Sequence, residues 1–577
     1  MNQDSRPAPR WRRVVLGLVD RTRADDWHLG LLTAAAVIGV LGALATIAFR
    51  EVVTLAERAL YGRSDGLVQA ASHLPALERL FVPALGGICA GIVLAWARKS
   101  VSAGSSSDYM EAIALGDGQL AVRGSLLRAL SSAITVSSGG AIGREGSMVQ
   151  LAALVGSLFG RWRRAALPRR RLLVACGASA GVAAAYNAPI AGALFVAEIV
   201  LHSVAIESLG PLIVAAVAAN LTTSQLFGYH PVYHMPMLAE PGGLATVVLA
   251  LLGLIAGFGA PVYLRLLDLA RHAFARWKAP LWARLGAGGL AVGAISVVEP
   301  QVWGNGYSVV NSMLQGGWLA PALLAVLVLK LLAVASTAGS GAVGGVFTPT
   351  LFVGAAVGGL FGALVRLHAP GLMPEALAIA VGMGAFLAAS THAPLMSILM
   401  IVEMTGNFGL MLPLMLSCVL AYSLSRVLQP ESIYSEAAGS AAPTPATAMA
   451  VDFLRSDPAV VAEGASLDQL EQAFVHFRRP HVYVLGADGR FVGAVSIHDL
   501  APFARQQRGR GGDWQALVRR DFPTVGDQTP VWRVLETFAT HAGERLPVLD
   551  AAGKLRGYVS KSDLVLMFRE RLGGAAH

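Results

Sequence analysis

Cysteine and charge are both scarce in this chain. Its three cysteines, Cys89, Cys176 and Cys418, are far apart, sit in apolar runs and show no CxxC spacing. That excludes a disulfide framework and a cysteine-built metal site, and leaves core packing as their reading. Charged residues make up 14% of the chain and hydrophobic ones 55%, with a mean hydropathy of +0.58. Soluble domains carry about 25% charged residues, so this balance belongs to a polytopic membrane protein. No GxxxxGK phosphate loop is present and no nucleophile–base pair stands out, so enzyme chemistry is not expected. The first 27 residues hold Arg6, Arg10, Arg12, Arg13, Arg21 and Arg23 around one short apolar patch. They read as a basic cytoplasmic N-terminus rather than a cleaved signal peptide. Such loops account for part of the net charge of +9, and nucleic acid is not an expected partner.

What the chain has instead is apolar length. Runs at 31–49, 82–96, 209–221, 243–260, 319–335, 350–364 and 395–422 approach or reach the ~20 residues needed to cross a bilayer, while other stretches are cut short by Gly and Pro. Irregular backbone at membrane depth survives only where protein or a water-filled cavity satisfies it, so the broken segments are expected to line a pathway.

The membrane region repeats itself. NAPIAGALFVAE (187–198) matches HAPLMSILMIVE (392–403), LVGSLFG (154–160) matches AVGGLFG (356–362), and SGGAIGREGS (138–147) falls on SGAVGGVFTP (340–349). The loop after Gly160 reads RWRRAALPRRR, whereas the loop after Gly362 holds one arginine. Under the positive-inside rule the two copies therefore face opposite ways, as in inverted-repeat transporters.

The motif GGAIGREGSMVQ (139–150) places charge among glycines inside this region. A helix from Gly146 to Gly160 would be about 22 Å long against a hydrocarbon core of about 30 Å. With its C-terminal end held at the cytoplasmic face by the arginines, its N-terminus stops inside the membrane. Unpaired N–H groups and a partial positive charge make such an end an anion site. The inverted copy aims a second helix end, at Gly345-Val346-Phe347, towards the same depth. Glu145 is then a tethered anion at an anion site, a gate that an ion must displace. The alternative for Glu145 is structural, a salt bridge with Arg144 or a helix cap.

On these motifs the chain resembles the CLC family of chloride channels and proton/chloride antiporters, from about residue 30 to 436. GREGS at 143–147 is similar to the family's GKEGP-type motif and GVFTP at 345–349 to its GIFAP-type motif. The resemblance makes Glu145 the external gating glutamate. It also makes the backbone N–H groups of Glu145, Gly146, Val346 and Phe347 chloride ligands, and Tyr434, in QPESIYSEA, the anion-coordinating tyrosine. The third motif, GSGIP, is degenerate: GSSSDYMEAIA (104–114) puts the coordinating serine at Ser105 and Asp108 at the proline, with helix capping by the serines and Asp108 as the alternative. Proton-coupled members commonly carry two adjacent carboxylates after NAP. Here Glu198 matches the first and Ile199 replaces the second, which favours passive conduction. Glu198 and Glu403 are read as residues that hold helix ends together.

A second repeat lies in the tail, where VYVLGADGRFVGAVSIHDL (482–500) matches LPVLDAAGKLRGYVSKSDL (546–564). Each reads as strand, Gly turn, strand, then a helix opened by a Ser-x-x-Asp box. The tail is similar to a CBS domain pair, which implies an adenine nucleotide on Asp499 and Asp563. The alternative is that both cap helices in a structural dimerisation module.

The expected architecture is an α-helical polytopic membrane protein with an inverted-topology repeat plus a cytoplasmic α+β CBS pair. Its parts are a basic N-terminus at 1–27, a transmembrane domain at 28–436 with repeats at about 80–225 and 285–428, a linker at 437–449, and CBS domains at 450–507 and 515–572. By the resemblance it is an inner-membrane homodimer with both termini cytoplasmic. It would pass chloride and other small inorganic anions as a voltage- or pH-gated channel, needing no cofactor, with a proton/chloride antiporter as the alternative.

Overall fold

The computed structural model describes residues 10–62, 66–99, 106, 108–114, 116–228, 231–236, 241–435, 449–477, 479–506, 513–540 and 543–564, with side chains from Leu29 onward except at 99, 206, 207, 505, 506 and 540. It divides into two units, Met1–Gly439 and Ser440–His577. Ser105 and, apart from Met449, the expected linker 437–449 lie outside the described residues.

Among the described residues of the first unit, eight helices are long and apolar enough to cross a membrane: Leu29–Tyr61, Ala76–Arg98, Ser208–Phe227, Gly243–Arg276, Leu281–Val298, Ala320–Gly339, Phe347–His368 and Phe408–Leu428. The Leu281–Val298 span was not among the expected runs, because its LGAGGLAVGA sequence dilutes the apolar signal with glycine. Those glycines serve close packing: a Cβ on Gly289 or Gly293 would meet backbone of the helix Ala76–Lys99, as one on Gly87 of that helix would meet Leu285 O in return. The expected run 395–422 is two elements. The helix Pro394–Thr405 stops at Gly406, left-handed at φ 63°, and the helix Met411–Leu428 follows after a short turn. Cys176 and Cys418 are buried as expected, whereas Cys89 faces outward from its helix.

The repeats are visible in packing as well as in sequence. The helix Glu145–Trp162 lies on Leu167–Tyr186, and Phe347–His368 lies on Glu375–Thr391. Small residues set both contacts: added Cβ atoms at Gly156 and Gly177, or at Gly358 and Gly382, would run into carbonyl oxygens across the pair. The helix Glu375–Thr391 is buried at every residue from Ala376 onward, which explains why it shows no polar face. Each copy then breaks at a left-handed residue, Asn187 (φ 54°) or His392 (φ 58°), and restarts at the Ala-Pro step as Pro189–Phe195 or Pro394–Thr405. The proline sits at the first helical position, where its missing N–H costs nothing.

The second unit holds two three-stranded sheets. In the first, β1 (Val460–Ala462) pairs parallel with β2 (His481–Leu485), which pairs antiparallel with β3 (Phe491–Ser496). In the second, β4 (Val525–Gly526), β5 (Arg545–Leu549) and β6 (Leu555–Ser560) repeat that order. The hairpin glycines Gly489 and Gly553 have φ 78° and 76°, the turn geometry expected of them. The two halves exchange edges. Arg455, ahead of the first half, bonds Tyr558 of the second in both directions (2.8 and 3.0 Å), and Arg519 does the same to Ala494 of the first (2.9 and 3.2 Å). Ala450 accordingly packs in the core of the second half.

Candidate functional site

The two motif loops meet backbone to backbone. Gly143 N–H donates to Gly345 O (2.7 Å) and Gly345 N–H donates to Gly143 O (2.8 Å), a two-residue antiparallel bridge between positions that the repeat alignment equates. The strands approach too closely for side chains to enter freely: a Cβ on Gly143 would overlap Glu145 Oε2 and come within 2.9 Å of Gly345 O, one on Gly344 would come within 2.9 Å of Gly143 O, and one on Gly345 would press on Gly146 N at 3.2 Å. From this bridge the helices Glu145–Trp162 and Phe347–His368 depart. Their N-caps, Arg144 and Val346, provide no side-chain cap. Two helix ends with first-turn N–H groups and positive dipole ends are thus tied to one point. The first helix starts at Glu145 and runs to Trp162, somewhat longer at both ends than the expected Gly146 to Gly160.

Glu145 is 3% exposed. Its Oε1 accepts a hydrogen bond from Asn305 Nδ2 at 3.1 Å, while Oε2 is buried and has no partner among the described residues. No ion pair joins it to Arg144 among the described residues, so the structural alternative of a salt bridge is not what holds it. A cavity of about 370 Å³ is lined by Glu145, Gly146, Val346, Phe347 and Tyr434 together. The Tyr434 ring packs edge-on against Phe195 at 5.7 Å, and its segment is tied down by Ile433 N–H donating to Ser390 O at 2.9 Å. Ser105, the remaining expected ligand, lies outside the described residues. Its neighbour Asp108 does cap a helix: Oδ1 accepts from Met110 N–H at 2.9 Å, opening Tyr109–Ala114, and the carboxylate also lines the cavity, 3.7 Å from Arg128.

Several neighbours of Glu145 carried no sequence signal. Asn305 sits between Gly304 (φ 66°) and Gly306 (φ 95°), legible in GNGY only as a turn. Tyr186 packs on Phe347 at 4.8 Å, and Tyr307 packs at a tilt against Tyr233 at 5.6 Å and meets Thr348 Oγ1 at 3.5 Å through its hydroxyl. These tyrosines come from three separate segments, and only the tertiary fold gathers them.

Glu198 and Glu403 hold helix ends, as expected, and they do so reciprocally. Glu198 accepts N–H groups of Leu395 (3.3 Å) and Met396 (2.8 Å), opening the second-repeat helix. Glu403 accepts those of Ile190 (3.0 Å) and Ala191 (2.8 Å), opening the first. Each carboxylate caps the partner's N-terminus. Ile199, beside Glu198, is buried in the π-helical turn Val196–Val200.

In the tail, both candidate ribose carboxylates are engaged by arginine. Asp563 takes a two-pronged contact from Arg455, at 3.1 Å from Nε and 2.8 Å from Nη2, and hydrogen bonds Ser560. Asp499 pairs with Arg519 at 3.2 Å. The Arg455 guanidinium holds the Asp563 carboxyl below its ordinary range. The serine of each Ser-x-x-Asp box accepts a backbone N–H in the first helical turn, Ser496 from His498 and Ser560 from Asp563.

Comparison with known proteins agrees with this layout. A family described as voltage gated chloride channel matches residues 86–426, and CBS domains match 450–504 and 514–570. A ClcB-like chloride channel protein of Ralstonia nicotianae is 52% identical over 70% of this chain and 96% of its own. The voltage-gated ClC-type chloride channel ClcB of Salmonella typhimurium is 44% identical over 70% and 98%. Among solved structures, a slow cyanobacterial Cl⁻/H⁺ antiporter aligns with TM-score 0.64 at 24% identity, covering 71% of this chain and 97% of that one. A eukaryotic CLC transporter aligns with TM-score 0.63 at 18% identity over 93% and 98%, a likeness of fold. The chain is a membrane protein with a C-terminal CBS pair, and it belongs to the voltage-gated chloride channel (CLC) family.

Proposed function

We propose that the protein passes chloride, and by the same chemistry bromide and nitrate, across the inner membrane through one pathway in each subunit of a homodimer with cytoplasmic termini. One observation carries this: two uncapped helix ends are joined by the Gly143–Gly345 bridge, at a cavity that also holds Glu145 and Tyr434. Backbone N–H groups of Glu145, Gly146, Val346 and Phe347, with the Tyr434 hydroxyl and Ser105, are the ligand set. Glu145 is the gate. Its carboxylate occupies the helix-end site when ionised and leaves it when protonated or displaced, and a single hydrogen bond with one bare oxygen suits a group that must move.

Conduction is passive in this reading, because Ile199 cannot carry a proton and Glu198 is committed to the Leu395 and Met396 N–H groups. Purified protein in liposomes with imposed chloride and pH gradients tests it. Chloride flux with a reversal potential at the chloride value is the expected result. A potential displaced by the pH gradient establishes the antiporter instead, and flux no greater than from empty vesicles defeats both.

For the tail we propose adenine nucleotide binding with Asp499 and Asp563 on the ribose hydroxyls. Arg519 and Arg455 now occupy those carboxylates, so nucleotide must displace them. Calorimetric titration with ATP, ADP and AMP should show binding that Asp563→Ala abolishes; heat unchanged by that substitution counts against the site.

A further inference from the structure

Lys330 lies in the middle of the apolar helix Ala320–Gly339, is fully buried, and touches no carboxylate among the described residues. Its Nζ donates to Val302 O and Gly304 O, both at 2.8 Å, and sits 5.3 Å from the centre of the Phe352 ring. A lysine inside a membrane helix is costly, and this one spends its donors on a single turn, the one that carries Asn305. That turn has little freedom elsewhere. Trp303 is fully buried over Gly139, where a Cβ would come within 2.6 Å of the indole, and a Cβ on Gly306 would come within 2.6 Å of Phe352. Asn305 is fixed at both ends of its amide: Oδ1 accepts Tyr307 N–H at 3.3 Å, which orients Nδ2 onto Glu145 Oε1 at 3.1 Å.

We infer that Asn305 is the latch of the Glu145 carboxylate and that Lys330 is the positioning residue that aims the latch. The inference rests on the reading of Glu145 as the gate. The Asn305 amide is a donor in a fixed place, so it favours the ionised, seated carboxylate over the displaced one. Lys330 acts through the Val302 and Gly304 carbonyls, and Phe352 links it to the helix whose N-terminus forms the other half of the anion site. The turn is therefore registered to both repeats at once. Titratable groups near Glu145 on neighbouring elements are Tyr186, Tyr233, Tyr307 and Tyr434, and Arg144 adjoins it in sequence.

Hydrogen bonds to a charged group contribute enough that losing one shifts a two-state equilibrium by roughly ten-fold or more. In full-length protein in liposomes, Asn305→Ala should raise chloride flux at neutral pH by about that factor and flatten its rise on acidification. Asn305→Asp, which sets a like charge against the gate, should do so more strongly. Lys330→Met should act in the same direction as Asn305→Ala, and Lys330→Gln, which keeps one donor, should fall between. In a Glu145→Gln background all of these should change flux by less than about two-fold, because the carboxylate they act on is gone. Equal effects with and without Glu145, or an unchanged pH profile in Asn305→Ala, overturn the latch. If Glu145→Gln alone leaves the pH profile intact, the gate reading fails separately. An experimental structure of Asn305→Ala then decides the latch by itself: Glu145 displaced supports it, and Glu145 in its present place refutes it whether or not chloride flows. If Lys330→Met gives no folded protein, Lys330→Gln carries the second half of the test.

Discussion

Replacing Glu198 by glutamine separates a structural carboxylate from a proton carrier. Its oxygens receive two N–H groups at the start of Pro394–Thr405, one short at 2.8 Å and one long at 3.3 Å. Hydrogen bonds to a charged acceptor contribute about 1.5–3 kcal/mol, roughly twice a neutral one. Glutamine can keep its one carbonyl oxygen on Met396 N–H, so that bond is halved rather than lost. It turns an amide donor towards Leu395 N–H and removes the negative charge from the helix end, which contributes a further ~0.3–1 kcal/mol. The expected loss is about 2 kcal/mol for Glu198→Gln. For Glu198→Ala, which strips both N–H groups, it is about twice that. Unfolding in detergent micelles, followed by tryptophan fluorescence, measures both. The symmetry of the site adds a check, since Glu403→Gln should cost a similar amount through Ile190 and Ala191. Chloride flux and reversal potential of the folded Glu198→Gln protein should be unchanged. A variant with wild-type stability but an altered reversal potential under a pH gradient would refute the capping argument and make Glu198 a proton carrier.

Other outcomes follow from the same geometry. Gly143→Ala should displace the Glu145 carboxylate, since a Cβ there overlaps Oε2; if Glu145 is the proposed gate, flux at neutral pH should rise, and wild-type flux would count against that reading. Tyr434→Ala combined with Ser105→Ala should weaken chloride affinity in calorimetry, and unaltered affinity would remove both from the ligand set. In the tail, Arg455 depresses the Asp563 pKa, so the pair stabilises the fold above the unfolded-state value of about 3.9 and the contribution disappears as pH falls through the lower folded-state value. Because Arg455 is exposed, the effect should be about 1 kcal/mol or less. Arg455→Ala should flatten the acid limb of the tail's unfolding curve, and an unaltered limb would show that the pair contributes nothing.

Much of the fold was legible because membrane burial and internal repetition both write themselves into residue type. Hydropathy found most spans, and missed Leu281–Val298 because helix packing against helix Ala76–Lys99 demands the same glycines that dilute the apolar signal. The split of 395–422 turned on one glycine, Gly406, inside an apolar run. Gly143 and Gly345 could be equated by alignment, and the tertiary structure turned that equivalence into a pair of hydrogen bonds.

The sequence by itself determined the inverted repeat, the carboxylate at Glu145 and the hairpin glycines of the tail, because each depends on residue type at a fixed local spacing. Tertiary structure alone decided what those residues touch. Asn305 reaches Glu145 across 160 positions of chain, Lys330 bonds the carbonyls of Val302 and Gly304 in the turn that carries Asn305, and Glu198 and Glu403 exchange caps between repeats. The edges of the two tail sheets are likewise exchanged. Hydrogen bonds between distant segments leave no periodicity in the sequence; they exist only once packing has brought a donor and an acceptor to the same buried point, where neither can be left without a partner at low cost.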